Sequence, residues 1–405
     1  MKISLLLNII IIGIVLLAGC ASNTDYSEVN HNLLQENWMR QVNLNPGKWV
    51  KNADIWFFTG NPNRSERYAN KAPRDKAMSI VAVKVPQFTH IKVEGCFQVQ
   101  IIGEQDRNSV FVLGTNAAVQ QTSVQIEGNT ICITQSKDGS ASIPELNNVI
   151  VRIGVHNLRG LAVSGSAKVE GRHILSDRLV IDSSNADSVL LNGDMNLVKV
   201  NNTGIGTVSV MGAYTPNLQI QDTGNGTVNV SGHVGIQHIN HRGDGTVSII
   251  GADTCSLTVY ASGSGLTTVA GYMNLKRVEA ADKSQVYLYW VDSRNASIKA
   301  CDEARIGLAG AAANLTVHLS GGSRFDGRYL RGNNVYVHTE QNAHANVMTD
   351  HKMFAAAYDQ SSIYFYGPLK NVSRFATNSA VVLPVQDTTS FSMPPQIAMR
   401  RMSYK

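Results

Sequence analysis

Between residues 159 and 385, apolar side chains recur at two nested periods, one of two residues and one of about twenty. An origin for each repeat is the middle residue of its Gly-x-Gly, or the equivalent in hydrophobic phase. The origins are Ser166, Ala186, Ile205, Asn225, Asp244, Ser264, Lys283, Glu303, Gly322, Asn342, Gln360 and Asn378, in steps of 18–20 residues. Five residues before them stand Leu161, Ile181, Val200, Ile220, Ile239, Val259, Val278, Ile298, Val317, Val337 and Ala355, then Ser373. Three after them stand Val169, Val189, Val208, Val228, Val247, Thr267, Val286, Ile306, Phe325, Ala345, Ile363 and Val381. With the columns at plus five and minus seven added, 40 of 48 positions are apolar, against 11 of 36 in the interleaved columns at minus six, minus four and plus four. Alternation at period two marks strands that bury one face. The apolar residues are mostly β-branched, which suits a pleated surface.

Each unit therefore reads as strand, tight turn, strand and return turn. One unit cannot bury its own apolar face, whereas stacked units share a continuous interior. The expected fold is all-β: a parallel β-helix, or solenoid, of about 12 coils of 18–20 residues, a rod of roughly 55 Å at about 4.8 Å per coil. An antiparallel sandwich could alternate too, but has no reason to keep residue types at a fixed step. Three segments are near copies: Thr203–Val210, Thr223–Val230 and Arg242–Ile249. Their Gly-x-Gly turns are expected at corners with positive φ, which glycine adopts freely.

The flanks differ. Residues 1–19 are a short basic start and an apolar run from Ile3 to Leu17, a secretory signal. The sequence Leu17-Ala-Gly-Cys20 resembles the bacterial lipoprotein box, which implies cleavage before Cys20 and lipid on that cysteine. Ala21 and Ser22 follow in place of an acidic residue, which points to the outer membrane. Residues 20–77 read as a tether and docking segment. A helix is expected over 25–42, with Val29, Leu33, Leu34, Trp38 and Val42 near one face. Ile55-Trp-Phe-Phe58 is expected to dock on the body, cap its end or contact a partner. Residues 78–158 are strand-rich but irregular. With Cys96 as an origin, Ile91, Val99 and Ile101 fall in core columns, so this region is expected to start the solenoid and cover its first open edge. Pro384 ends the last strand, leaving 386–405 as a basic tail.

Phe88…Ile91-Lys-Val-Glu-Gly…Phe97-Gln-Val-Gln-Ile101, Val149-Ile-Val-Arg-Ile153 and Leu158-Arg-Gly-Leu-Ala-Val-Ser-Gly-Ser-Ala-Lys-Val169 resemble the autotransporter-adhesin head GIN domain family. The resemblance covers about residues 79–310. It implies an exported bacterial protein, often a lipoprotein, with a right-handed β-solenoid. It brings no catalytic residues.

Composition narrows the function. A net charge of +5 over 405 residues, without a basic stripe, does not fit a nucleic-acid binder. Beyond Cys20, four cysteines remain without metal-ligand spacing. Cys96 and Cys132 lie on candidate strands and are either free or paired. No nucleophile elbow, HExxH or Walker loop is present. Asp282 and Asp302 occupy one place in adjacent coils, with Glu279 and Glu303 near. They read as a solvated turn network more readily than as a metal or catalytic group. His318 and His338 share an outward column without an evident third ligand. Tyr287, Tyr289 and Trp290, with Tyr364 and Tyr366 four coils on, make the candidate ligand surface. The expected function is a non-catalytic cell-envelope lipoprotein, without cofactor. It is expected to bind a glycan, or an envelope or host protein, and to contact the membrane through Cys20. The alternatives are a polysaccharide-acting β-helix enzyme and a periplasmic structural or envelope-stress protein.

Overall fold

Twenty-three strands form one continuous sheet in the computed structural model, which describes residues 48–52, 55–60, 78–135, 148–368 and 371–385. The signal segment, Cys20, the helix expected over 25–42 and the tail 386–405 lie outside the described residues.

The N-terminal strands are β1 (Lys48–Asn52), β2 (Ile55–Gly60), β3 (Met78–Val83), β4 (His90–Glu94), β5 (Gln98–Ile102) and β6 (Ser109–Thr115). After the short helix α1 (Asn116–Gln120) come β7 (Thr122–Glu127), β8 (Thr130–Gln135), β9 (Ile150–Gly154) and β10 (Gly160–Ser164). Each later coil is a single bent strand: β11 (Lys168–Ser184), β12 (Ser188–Asn202), β13 (Thr207–Asp222), β14 (Thr227–His241) and β15 (Thr246–Ala261). Then come β16 (Leu266–Ala280), β17 (Gln285–Ala300), β18 (Arg305–Leu319), β19 (Arg324–Thr339) and β20 (His344–Ala357). The short strands β21 (Ser362–Tyr366), β22 (Val372–Ala376) and β23 (Val381–Pro384) complete the stack.

From β10 to β23 every pairing is parallel, and the inner columns run unbroken. Val189, Val208, Val228 and Val247 are stacked in register, as are Val200, Ile220, Ile239 and Val259, and all eight are buried. Each coil thus offers its neighbour the same branched side chain, and the interior is a set of like-on-like stacks.

Two details depart from the hydrophobic phase. The minus-seven column is weak because alternate coils place their buried residue one position earlier. Leu179 pairs with Leu197, Leu218 with Ile236 and Leu257 with Leu275, with bulges absorbing the offset. In the last coil Ile363 pairs with Val382, not Val381, and Leu383 is 46% exposed. Two adjacent valines leave the phase ambiguous by one residue, and the true origin is Ser379.

At the N-terminal end, β4 and β5 stack in register on β10 and β11, placing Ile91 on Leu161 and Val99 on Val169. On their other side lie β8 and β9, so the outermost parallel layer comes from later in the chain. Antiparallel strands then take over. β7 pairs with β8, β6 with β9, β3 with β6, β2 with β3, and β1 with β2. The parallel edge therefore ends against hairpins, not open to a second chain.

Candidate functional site

The Gly-x-Gly corner is built in two ways. In the three near-identical repeats it is braced from inside. Asn202, Asp222 and His241 occupy one inward column, and all are buried. Asn202 Nδ2 donates to Asp222 Oδ1 at 2.9 Å. The Gly204 and Gly224 N–H groups donate to Asn202 Oδ1 and Asp222 Oδ1, at 3.4 and 3.3 Å. His241 Nε2 lies 3.3 Å from Asp222 Oδ2, and its Nδ1 lies 2.9 Å from Thr267 Oγ1. Burial pushes the Asp222 carboxyl up and the His241 imidazole down. Among the described residues neither Asp222 Oδ2 nor His241 Nε2 has a hydrogen-bond partner. Aspartate, histidine and threonine are the residue types of a nucleophilic relay. With exposures of 0%, 1% and 0%, no substrate reaches them.

The expectation of positive φ at these turns is corrected. Gly204, Gly224 and Gly243 have no φ in the left-handed region. Glycine is required there because the preceding coil passes too close. A Cβ on Gly224 or Gly243 would lie 2.1 or 1.8 Å from a backbone oxygen of the coil before.

In later coils the same corner is braced from outside. Asp282, Asp302, Gln341 and Asp359 adopt φ of 58–60°. Each reaches back one coil. Asp282 Oδ2 accepts from Gly263 N–H at 2.9 Å, Asp302 Oδ2 from Asp282 N–H at 3.3 Å, and Asp359 Oδ2 from Gln341 N–H at 3.1 Å. Asp282 and Asp302, together with Asp244, Gly263, Ser264, Lys283 and Glu303, line an open depression. The aspartates are aimed at backbone donors and Glu303 faces Lys283 at 3.9 Å, not at a common point, which is the geometry of a turn network. Among the described residues no set of three or more His, Cys, Asp or Glu converges as metal ligands. Cys96, Cys132, Cys255 and Cys301 are free thiols.

The sequence-selected aromatics sit on two coils. Tyr287 pairs through Gly307, Asp326 and Asn346 to Tyr364, so the two tyrosine pairs share columns but remain four coils apart. Tyr289 and Trp290 are exposed, and Tyr287, Tyr364 and Tyr366 are half-buried. A ring ladder lies on another face; the sequence placed its His318 and His338 in one column but missed the rings around them. Tyr336 and Phe354 stack at 5.3 Å with planes 6° apart, His318 and His338 are 5.8 Å apart, and Tyr358 joins His338 to Phe375. Its signal was the 18-residue step from Tyr336 to Phe354 in one outward column. These rings cover one another and act as cross-strand pairs.

A second missed column lies seven residues after the origin, at the corner that follows the Gly-x-Gly strand. Gly193, Gly212, Gly232, Gly251, Gly271 and Gly310 all have positive φ there. Half of the large apolar side chains exposed among the described residues fall six to nine residues after an origin, around this second corner. They include Met211, Tyr214, Ile250, Tyr272, Tyr289 and Trp290.

A family described as "Putative auto-transporter adhesin, head GIN domain" matches residues 87–276 and 272–368. Among solved structures, a putative adhesin from Bacteroides fragilis is 12% identical, covers 76% of this chain and 97% of its own, and has a TM-score of 0.24. A putative lipid binding protein from Parabacteroides distasonis gives the same identity and coverage with a TM-score of 0.25. A putative adhesin from Parabacteroides merdae is 12% identical over 76% of this chain and 96% of its own, with a TM-score of 0.23. No curated protein matches. With its repeat, its stacked coils and a family match over most of its length, the chain belongs to the head GIN domain family of putative auto-transporter adhesins.

Proposed function

We propose that this chain is an exported, lipid-anchored binding protein without catalytic activity. It is held to the outer membrane through Cys20 and offers the sides of its solenoid to a glycan or to an envelope or host protein. The observation that carries this reading is the placement of exposed Tyr289 and Trp290, with Tyr287 beside them, on the lateral surface of a rigid stack. A stack of like side chains has little freedom to rearrange, so groups on its sides are held ready for a partner. The polar constellations are consumed by the fold: the inner one is sealed, and the outer carboxylates brace turns.

Two measurements test this. Replacing Cys20 by Ala should move the chain from the membrane to the soluble fraction. The full-length chain in detergent should be retained by immobilised glycans or by envelope or host-surface proteins. Membrane association unchanged in Cys20→Ala, or a full chain retained by neither ligand class, would overturn the reading.

A further inference from the structure

We infer that the second corner of the solenoid, from Tyr214 to Trp290, is a binding track for one extended, uncharged polysaccharide chain. This deepens the proposed function and rests on it.

The first observation is a local cost with no structural return. The corner position seven residues after the origin is glycine in seven coils, every one with positive φ, and His173 takes the same conformation in the first coil. At Gly212 and Gly251 a Cβ would lie 2.1 and 2.0 Å from the carbonyl oxygen of the coil before. Trp290 takes the same position with φ of 67°. A bulky side chain in the left-handed region is strained, and this indole is 60% exposed, so burial does not offset the strain. Strain kept at an exposed aromatic suggests a ligand.

The second observation is the order of groups along the corner. Tyr214, which is 64% exposed, stacks on His233 at 5.4 Å with planes 22° apart. His233 Nε2 lies 3.6 Å from Asp253 Oδ2. Asp253 pairs in register with Tyr272, and the Tyr272 hydroxyl donates to Asp292 Oδ2 at 3.0 Å. Trp290 stands two residues before Asp292, with Tyr289 beside it. Five successive coils therefore present Tyr214, His233, Asp253, Tyr272 and Asp292 in one line of about 19 Å, with Trp290 beside its end in the adjoining glycine column.

The spacing selects the occupant. Groups repeat at the coil rise of about 4.8 Å, close to the length of one pyranose unit in an extended glycan, whereas an extended peptide advances about 3.3 Å per residue and falls out of step. A strip one corner wide is also far below the roughly 800 Å² per partner of a stable protein interface, which disfavours a folded partner or a second copy of the chain. Ring faces at Tyr214 and Trp290 suit the apolar faces of sugars. The Asp253 and Asp292 carboxylates accept from hydroxyls, and they repel anionic glycans.

The test uses the full-length chain in detergent, with cellohexaose and chitohexaose as neutral probes and a hyaluronan hexasaccharide as the anionic one, by titration calorimetry. At least one neutral hexasaccharide should bind, and the anionic one should not. Trp290→Gly should weaken binding about tenfold or more, with Tm unchanged or raised because the strain is relieved. Asp292→Asn should weaken it less and leave Tm unchanged. The inference is overturned if neither neutral probe binds, if the hyaluronan probe binds, if Trp290→Gly binds as well as the parent, or if it lowers Tm and so shows the indole to be structural. Retention of an envelope or host protein with no sugar binding would overturn this inference and leave the proposed function standing. Retention of neither would remove both.

Discussion

The early and late coils solve one problem, turning a strand through the Gly-x-Gly corner, with opposite materials. Around Asn202, Asp222 and His241 the corner is thin and its polar brace is inside. Both turn positions are glycine, and the space a Cβ would fill belongs to the neighbouring backbone. From Asp282 onward the inward residue is Ala280, Ala300, Leu319, Thr339 or Ala357, and Ser284, Ala304, Ser323, Ala343 or Ser361 takes the place of the second glycine. The brace then moves outside, to Asp282, Asp302, Gln341 and Asp359. At Ala280 and Ala300 a small inward residue accompanies a methyl or hydroxyl at the turn, and at Asp222 and His241 a large one accompanies a bare turn, whereas Leu319 and Thr339 are large enough to show that the exchange is not general. Gly265 lies at the boundary, where an added Cβ would meet the His241 ring at 2.5 Å.

The sharpest way to break this comparison is to exchange the turn residues. Gly226 and Ala304 occupy equivalent positions. A Cβ on Gly226 would come within 2.1 Å of the Gly206 carbonyl oxygen, so Gly226→Ala must push two coils apart. A loss of more than about 3 kcal/mol is expected, in the range of severe core damage. Ala304 is fully buried, so Ala304→Gly loses only a methyl and gains backbone freedom, about 1–2 kcal/mol. Amide hydrogen exchange in the flanking strands localises the loss to the corner and is the readout. Equal losses at the two sites would show that the corners do not differ.

The inner columns were legible because burial on one face imposes period two wherever the strand is straight. Bends erase that signal. The glycines from Gly193 to Gly310 recur at the repeat length, yet their strands are locally bulged and the alternation slips by one residue there. Asn202, Asp222 and His241 did carry a mark, polar residues on inward parity, but a single sequence does not show that they meet in adjacent coils. The layering at the N-terminal end was illegible for another reason. Ile91, Val99 and Ile101 fit the core columns, but nothing in their spacing says that Ile131 and Val151 lie outside them, because stacking order there departs from chain order. Of the candidate site, Tyr289 and Trp290 were readable as outward residues. The line beside Trp290, from Tyr214 to Asp292, was not, since it occupies the corner.

A smaller effect sharpens the inner brace. The Asp222 carboxyl is raised by burial, so in the fold it resists ionising. Such a group contributes stability that is present below the unfolded value near 4 and is lost as pH climbs through the raised folded value. Asp222→Asn keeps the amide-like contacts and removes that loss. The variant should match the parent below about pH 4 and exceed it by about 1 kcal/mol or more at pH 7. His241 is lowered, so its contribution has the opposite sense, present above about 6.5 and lost as pH falls. The Asp222→Asn variant should therefore still weaken on acidification through that range. A variant less stable than the parent at pH 7 would mean that carboxylate and imidazolium hold the corner as an ion pair.

The smallest effect belongs to the outer brace. Asp302 has φ of 60° and accepts the Asp282 N–H, and both demands are met by an amide as well as by a carboxylate. Asparagine tolerates the left-handed region and offers the same acceptor, so Asp302→Asn should change stability by less than about 0.5 kcal/mol. Asp302→Ala loses the acceptor and keeps an unfavourable φ, and should cost about 1 kcal/mol more than the asparagine variant. This ordering separates a turn brace from a charged site. A calcium or catalytic site needs the charge, so it would make asparagine as damaging as alanine, and added calcium would raise the Tm of the parent but of neither variant. A brace predicts that calcium leaves all three unmoved and that only the geometry of the acceptor counts.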